Sequence, residues 1–307
     1  MTSPVLKAAL GDYGHTRELK TGALTSPRLV FEFVEVKPID RAFRRMIRDL
    51  EFDLSEMAIA TFLQARAFDK PLVLLPVVLM NRLHHGSILR NINSAIKTPA
   101  DLTGRRVGVR AYSQTTGVWV RGILHSEYGV DLNTITWVTL EGSHVAEYQD
   151  PPNVERAPAG KTLEGMLLAG EIDACVVGRN GVPNAPEIQP LIADAEGEGM
   201  RWLGRVKALP VNHMLVLRQE IVDAKPWIVD EVLSLFQAAK EADFAKLQTE
   251  DAQDPEASFK LTMLRHGIDP LPFGVDALRR SLEMMIDFAV AQRIIPRRFD
   301  VDELFSR

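Results

Sequence analysis

Six consecutive residues, Tyr112-Ser113-Gln114-Thr115-Thr116-Gly117, place hydroxyl, amide and backbone donors between an apolar run ending at Val109 and a helix-like run starting at Val118. A strand that turns into a helix through such residues can hold an anion. The first-turn N–H groups of a helix have no acceptor within it, and the helix dipole favours negative charge at that end. Ser113, Thr115 and Thr116 add hydroxyls and Gln114 an amide, so a carboxylate is a fitting guest. Ordinary N-capping by Ser113 or Thr115 explains the same residues without a ligand, and both readings stay open.

Proton-transfer chemistry needs other residues, and they fall at other turns. His85, with His84 beside it, follows the apolar run PLVLLPVVLM; His213 lies in PVNHMLVL; His15 lies in GDYGHT. Imidazole titrates near neutrality, so each can act as acid or base, or bind a carboxylate or phenolate when protonated. A structural or solvent-facing role is the competing reading for all of them. Asp12 in GDYGHT and Glu56 in DLSEM are carboxylates that can orient a histidine or take part in proton transfer, and Asp12 can bind a hydroxyl. Against this stand an Asx-turn at Asp12 and a helix N-terminal charge at Glu56. Arg17, Arg82, Arg90, Arg110 and Arg179 are candidate carboxylate clamps, since guanidinium pairs bidentately with carboxylate; most arginines are simply solvated. His125, His144 and His266 read as surface or loop residues.

Cofactor chemistry finds less support. His84, His85 and His213 with Asp12 or Glu56 would supply enough donors for a divalent ion, yet adjacent histidines rarely face one metal and no HExxH spacing occurs. No metal site and no organic cofactor are expected. GDYGHT is not GxGxxG, and GRNGVPN lacks the lysine of a phosphate loop. The single cysteine, Cys175, excludes an internal disulfide and a cysteine-based zinc site; within IDACVVG it reads as a buried strand thiol.

The elements that must position these residues alternate. VLKAAL and RLVFEFVEV read as strands, the second with period-two alternation of Val30, Glu32 and Val34 against Phe31, Phe33 and Glu35. Asp40 caps a helix holding Phe43, Met46, Ile47 and Leu50 at three- and four-residue spacing, FDLSEMAIATFLQAR follows, and PLVLLPVVLM is a strongly apolar strand. A second series starts near residue 98. TPADLTGRRVGV gives a capped short helix, a glycine turn and a strand; ITWVTL, IDACVVG and HMLVLRQ are further strands, and KTLEGMLLAG is a helix closed at Gly170. Residues 141–160 read as a long loop, a lid or plain surface. From Pro226 onward the chain is helical.

Such alternation predicts an α/β protein with two lobes of mainly parallel sheet covered by helices. The crossovers fall near 82–92 and 209–217, giving lobe I as 1–84 plus 214–307 and lobe II as 85–213. Ligands in open α/β sheets bind outside the carboxyl ends of strands, where loops converge. That rule selects the turns GDYGHT, DLSEM, HHGS, AYSQTTG and VGRNG, and a ligand cleft between the lobes.

Composition narrows the function classes. With 307 residues, 46% hydrophobic and 25% charged, the chain is of ordinary globular make-up, and its net charge of −5 argues against binding nucleic acid or an acidic membrane surface. The first residues, MTSPVLKAALGDYG, lack the basic start and the roughly 7–15-residue apolar stretch of a secretory signal; a cytoplasmic location is the expectation. The C-terminal helices carry enough apolar residues for a homodimer, which packing on lobe I explains equally well.

Taken together, GDYGHTREL, EFDLSEM, RLHHGSI, TPADLTGRRVGV with YSQTTGVWVRGIL, ITWVT, KTLEGMLLAGEIDA and IIPRRFDVDELF resemble the 4,5-dihydroxyphthalate decarboxylase family over nearly the whole chain. TPADLTGRRVGV alone is common to many periplasmic-binding-protein-like domains; GDYxxTREL with FDLSEM is more specific. The resemblance implies a two-lobed fold of the type II periplasmic-binding-protein kind and non-oxidative decarboxylation of a hydroxylated aromatic carboxylate without an organic cofactor. On that basis His85 is expected as proton donor, with Asp12 or His213 at the phenol and Glu56 assisting. Tyr13, His15, Arg17, Ser55, Arg82, Tyr112, Ser113, Gln114, Thr115, Thr116 and Arg179 are expected to contact the substrate. A non-catalytic solute-binding or sensor protein for a small carboxylate is the rival on the same fold.

Overall fold

The computed structural model describes residues 3–178, 185–247 and 253–305; Arg179, with the rest of 179–184, lies outside them. The strands among the described residues are β1 (Val5–Ala9), β2 (Val30–Phe33), β3 (Leu54–Ala58), β4 (Leu72–Asn81), β5 (Ile88–Asn91), β6 (Arg106–Val109), β7 (Thr136–Thr139), β8 (Val154–Arg156), β9 (Ala174–Val176), β10 (Ile188–Pro190) and β11 (Val211–Arg218). The α-helices are α1 (Gly14–Lys20), α2 (Asp40–Asp49), α3 (Ile59–Ala67), α4 (Thr115–Tyr128), α5 (Leu163–Leu168), α6 (Ala195–Val206), α7 (Gln219–Ala224), α8 (Trp227–Lys246), α9 (Pro255–Arg265), α10 (Val275–Ala291) and α11 (Val301–Phe305). They form two compact units: Met1–Arg82 with Val211–Glu283 and Phe299–Arg307, and Leu83–Pro210 with Met284–Arg298.

In the first unit the sheet order is β2-β1-β3-β11-β4. β1 runs parallel to both β2 and β3, while β11 is antiparallel to β3 and β4. Two expectations are corrected here. DLSEM is not a turn: Leu54 to Ala58 form a central strand, every residue of which is buried. With both faces covered and both edges paired, LSEMA shows no alternation to betray it. Asp40 is the first residue of α2 and Ile39 takes the cap position, so Asp40 sits inside the first turn, where its charge suits the helix dipole. Phe43, Met46 and Ile47 are buried as their spacing requires. α8 inserts Ile228, Val232, Leu235, Phe236 and Ala239 into a core shared with Leu6, Leu54, Leu75, Leu215 and Tyr13.

The second unit has the sheet order β10-β5-β9-β6-β7-β8. Residues 141–160 are not loop throughout, because Val154 to Arg156 pair parallel with Trp137 to Thr139 and add β8 to the edge. α4 is buried continuously from Thr115 to Leu124, with Trp119 and Leu124 fully enclosed. Met284–Arg298, which the sequence places with the first lobe, clusters with the second unit because Phe288 lies edge-on against Trp119 and Gln292 bonds Arg121. Cys175 is buried in β9, and burial pushes its thiol up to about 12, so it stays protonated. Among the described residues no helix is long and apolar enough to cross a membrane.

Candidate functional site

Strand register builds a polar cluster at one end of the first unit's sheet. Ala9 pairs with Ser55, so the chain leaving β1 at Gly11 passes Glu56. On the other side Leu215 faces Glu56 and His213 faces Ala58, which makes Glu56 and His213 diagonal neighbours on one face. The result is a fully buried carboxylate with three donors around it. Gly11 N–H donates to Oε2 at 2.8 Å, Tyr13 O–H to Oε1 at 2.7 Å, and His213 Nδ1–H to Oε1 at 2.6 Å. A β-carbon on residue 11 would stand 2.6 Å from the Tyr13 ring, so a glycine there is what lets the phenol reach Glu56.

The electrostatics follow from that donor count. A buried carboxylate must be paired and hydrogen-bonded, and Glu56 meets the condition three times. A carboxylate only accepts, so Nδ1 of His213 carries a proton and Nε2 is the ring atom left to exchange one. Phe43 closes on the imidazole edge-on, with centroids 5.0 Å apart. A carboxylate that fixes the tautomer and balances the charge of an imidazole is the usual support of a general acid or base.

The other residues expected in the first unit are placed differently. Asp12 is 55% exposed and ion-paired with Lys20 and Lys37; the hydrogen bond from Lys20 chiefly holds its carboxyl below the ordinary range. Ser55 is buried and donates to the Glu56 carbonyl oxygen at 2.8 Å. Arg17 is exposed on α1, and Arg82 is half-buried. His15 stacks on the Tyr13 ring, centroids 5.2 Å apart and nearly parallel. Its Nδ1 lies 3.5 Å from Glu256 Oε1, beside the buried ammonium of Lys260, which reaches Asp243 at 2.6 Å and Glu256 at 2.5 Å. Burial pushes Glu256 up, but the bond to His15 and the Lys260 charge outweigh it and hold the carboxyl at about 2. His15, Asp243 and Glu256 bring three ligand atoms within 4.8 Å of one another, and the Lys260 ammonium stands among them as a built-in cation. The acids and Lys260 also line a cavity of about 500 Å³ with Arg17, Lys20 and Lys246.

In the second unit, His84 stacks on Trp119 with centroids 6.3 Å apart, and His85 meets Trp202 of α6 edge-on at 5.7 Å. His85 is 2% exposed, and burial, against the pull of Glu198, pushes its pKa down to about 4. It is neutral at pH 7, which suits a packing residue better than a proton donor. The sign for stability is definite. Unfolded chains take up the His85 proton near pH 6.5 while the folded protein resists it until about pH 4. Stability contributed by the neutral form is therefore complete above pH 6.5 and falls as pH drops toward 4. His85→Gln is expected to flatten the dependence of the unfolding midpoint between pH 6.5 and 5; an unchanged slope would show that another group carries it.

At the start of α4 the N-cap residue is Gln114, whose side chain makes no cap hydrogen bond. Ser113, Thr115 and Thr116 are all buried there. Tyr112 is anchored by its O–H donating to the Gln292 carbonyl at 3.3 Å. Two residues escape a sequence reading. Arg121, deep in α4, and Lys260, on α9, are wholly enclosed cations. The first could have been suspected from the absence of any polar face over VWVRGIL; for the second, the i,i+4 pair with Glu256 on α9 reads as an ordinary solvated pair, and its other partners lie on α1 and α8.

No family model matches the chain. A 4,5-dihydroxyphthalate decarboxylase from Comamonas testosteroni is 28% identical over 304 residues, spanning 93% of this chain and 85% of the relative. A protein of the same name from Pseudomonas putida is 29% identical over 210 residues, 64% of this chain and 80% of the relative. Among solved structures, the alkanesulfonate-binding protein SsuA from Xanthomonas axonopodis pv. citri bound to MOPS superposes with a TM-score of 0.57 at 18% identity, over 98% of this chain and 96% of that one. The desulfurization enzyme DSZB superposes with a TM-score of 0.54 at 12% identity, over 98% of this chain and 96% of that one. The fold is thus of the periplasmic-binding-protein kind, and the sequence resemblance extends over nearly the whole chain.

Proposed function

We propose that this relative of the 4,5-dihydroxyphthalate decarboxylases itself removes CO2 from a hydroxylated aromatic carboxylate, of which 4,5-dihydroxyphthalate is the first candidate. The observation that carries the mechanism is the buried Glu56 carboxylate holding His213 Nδ1 at 2.6 Å with Tyr13 and Gly11 as co-donors. His213 is assigned the proton donor in place of His85, which is neutral and packed on Trp202. Ring hydroxyls raise electron density at the carbon bearing the departing carboxylate. Protonated His213 delivers its Nε2 proton to that carbon, and the electron pair of the C–C bond returns to the ring as CO2 leaves. Glu56 stabilises the imidazolium before the transfer, and solvent restores the proton. The start of α4, with Ser113, Thr115 and Thr116, is assigned the grip on a substrate carboxylate.

The test is CO2 release from a panel of phthalate, 4,5-dihydroxyphthalate and 3,4-dihydroxybenzoate, with and without chelator. Release from a dihydroxylated member, unchanged by chelator, is the expected result. Calorimetric binding of these acids with no CO2 from any of them would favour a solute-binding or sensor protein instead.

A further inference from the structure

Arg121 is a buried cation without an anion. Its side chain is 0% exposed and none of its nitrogens forms an ion pair among the described residues. Nε donates to Gln292 Oε1 at 2.6 Å and Nη2 to the Tyr112 carbonyl at 2.6 Å, both neutral acceptors. The guanidinium lies over the Tyr112 ring at 4.0 Å and the Trp137 ring at 5.0 Å. Nη1 has no partner among the described residues. Asp150, an acid whose charge reaches Arg121, accepts a hydrogen bond from Arg156 Nη2 at 3.4 Å and is itself pushed up by burial toward the neutral form.

Uncompensated burial of a charge costs several kcal/mol, so the position of Nη1 is informative. A β-carbon on Gly117 would lie 3.1 Å from it, which puts the unpartnered nitrogen directly against the first turn of α4. Side chains on a helix lean toward its N-terminus, and Arg121, two turns in, does so. A second unpartnered buried atom, Gln114 Oε1, belongs to the N-cap residue of the same helix.

The geometry points to Arg121 as the residue that sets the charge preference of the α4 N-terminus: a fixed positive charge behind the first turn, there to favour an anionic ligand over an isosteric neutral one without touching it. The inference rests on the reading of that turn as a carboxylate grip. Two consequences separate it from a packing role. Removing the charge should weaken carboxylates selectively, and keeping the charge in a different shape should preserve the selectivity.

The experiment is calorimetry on the full chain with benzoate and benzamide, a pair alike in shape and different in charge, with phthalate as a second anion. The wild type is expected to bind benzoate at least tenfold tighter than benzamide. In Arg121→Gln that ratio is expected to fall to near one, and in Arg121→Lys to stay within about threefold of the wild type. A structural role would weaken both probes equally and leave the ratio intact, which would overturn the inference while leaving the proposed reaction standing. If Arg121→Gln does not fold, Arg121→Met, which keeps the apolar stem and lacks the charge, supplies the same ratio. An unchanged ratio there counts against the inference, and a reduced one supports it. A wild type that binds neither benzoate nor phthalate would remove the carboxylate grip itself, and the inference with it.

Discussion

Replacing His213 with glutamine should lower the rate of CO2 release from 4,5-dihydroxyphthalate by about 10²–10⁴-fold, the range a single positioned acid contributes. Binding of phthalate should change by no more than a few-fold, so that the loss appears in kcat. Glutamine keeps a donor for Glu56 but has no group that exchanges a proton near neutrality. The strand pairing around His213 is main-chain, Met57 with Met214 and Glu56 with Leu215, and survives the substitution. His85→Gln measured alongside should cost less than tenfold, because that ring is neutral and packed on Trp202. The reverse order of the two variants would return the proton donor to the second unit and end the assignment made above. Glu56→Gln should fall between them: Gly11 and Tyr13 keep an acceptor, while the imidazolium loses its counter-charge.

The second large effect is on stability and concerns Lys260. Lys260→Met leaves Asp243 and Glu256 facing each other with their cation gone. Losing one partner of a buried ion pair typically costs about 3–5 kcal/mol, which for a protein of this size lowers Tm by roughly 10 °C. The pH dependence has a definite sign. The folded-state pKa of Glu256 is depressed to about 2 from 4.5, so its favourable term is present above pH 4.5 and lost as pH falls toward 2. In the methionine variant the same carboxyls gain from being protonated. The gap in unfolding free energy between wild type and variant should therefore be widest at pH 7 and shrink on acidification below pH 4.5. Adding Asp243→Asn and Glu256→Gln to Lys260→Met should recover most of the loss. A methionine variant as stable as the wild type at pH 7 would show that the cluster is solvated in solution and its charges are worth little.

Local patterning made much of the architecture legible. RLVFEFVEV and ITWVTL alternate or run apolar as half-buried and buried strands do, and DRAFRRMI spaces Ala42, Phe43, Met46 and Ile47 on one helix face. The strand-to-helix turn at residues 112–117 was legible as a turn as well, since hydroxyl and amide residues there separate β6 from α4. What local sequence does not contain is register between strands distant in the chain. Glu56 meets His213 because β11 pairs with β3 across 157 residues, and a one-residue slip would send the imidazole to the opposite face. Asp12 shows the converse. It lies beside Tyr13, yet Tyr13 turns inward to Glu56 and Asp12 turns out to two lysines, a choice made by side-chain direction. Arg121 and Lys260 escaped for a third reason: a long cationic side chain reads as solvated unless its surroundings are known.

The central place of β11 also bears on how the chain is made. Ribosomal synthesis delivers β3 and β4 early, but the strand that lies between them arrives only with Val211, after the second unit's segment Leu83–Pro210. Until then LSEMA and LVLLPVVLMN each present an open, mostly apolar edge, the kind of surface that recruits neighbouring chains. Contacts of such sequence separation also form slowly. The nascent protein therefore passes through a long interval of vulnerability to misassembly. The strand that closes it carries His213, so docking that seals the sheet and pairing of His213 with Glu56 are one event: a chain arrested before it is both sticky and leaves the buried Glu56 carboxylate short of a donor.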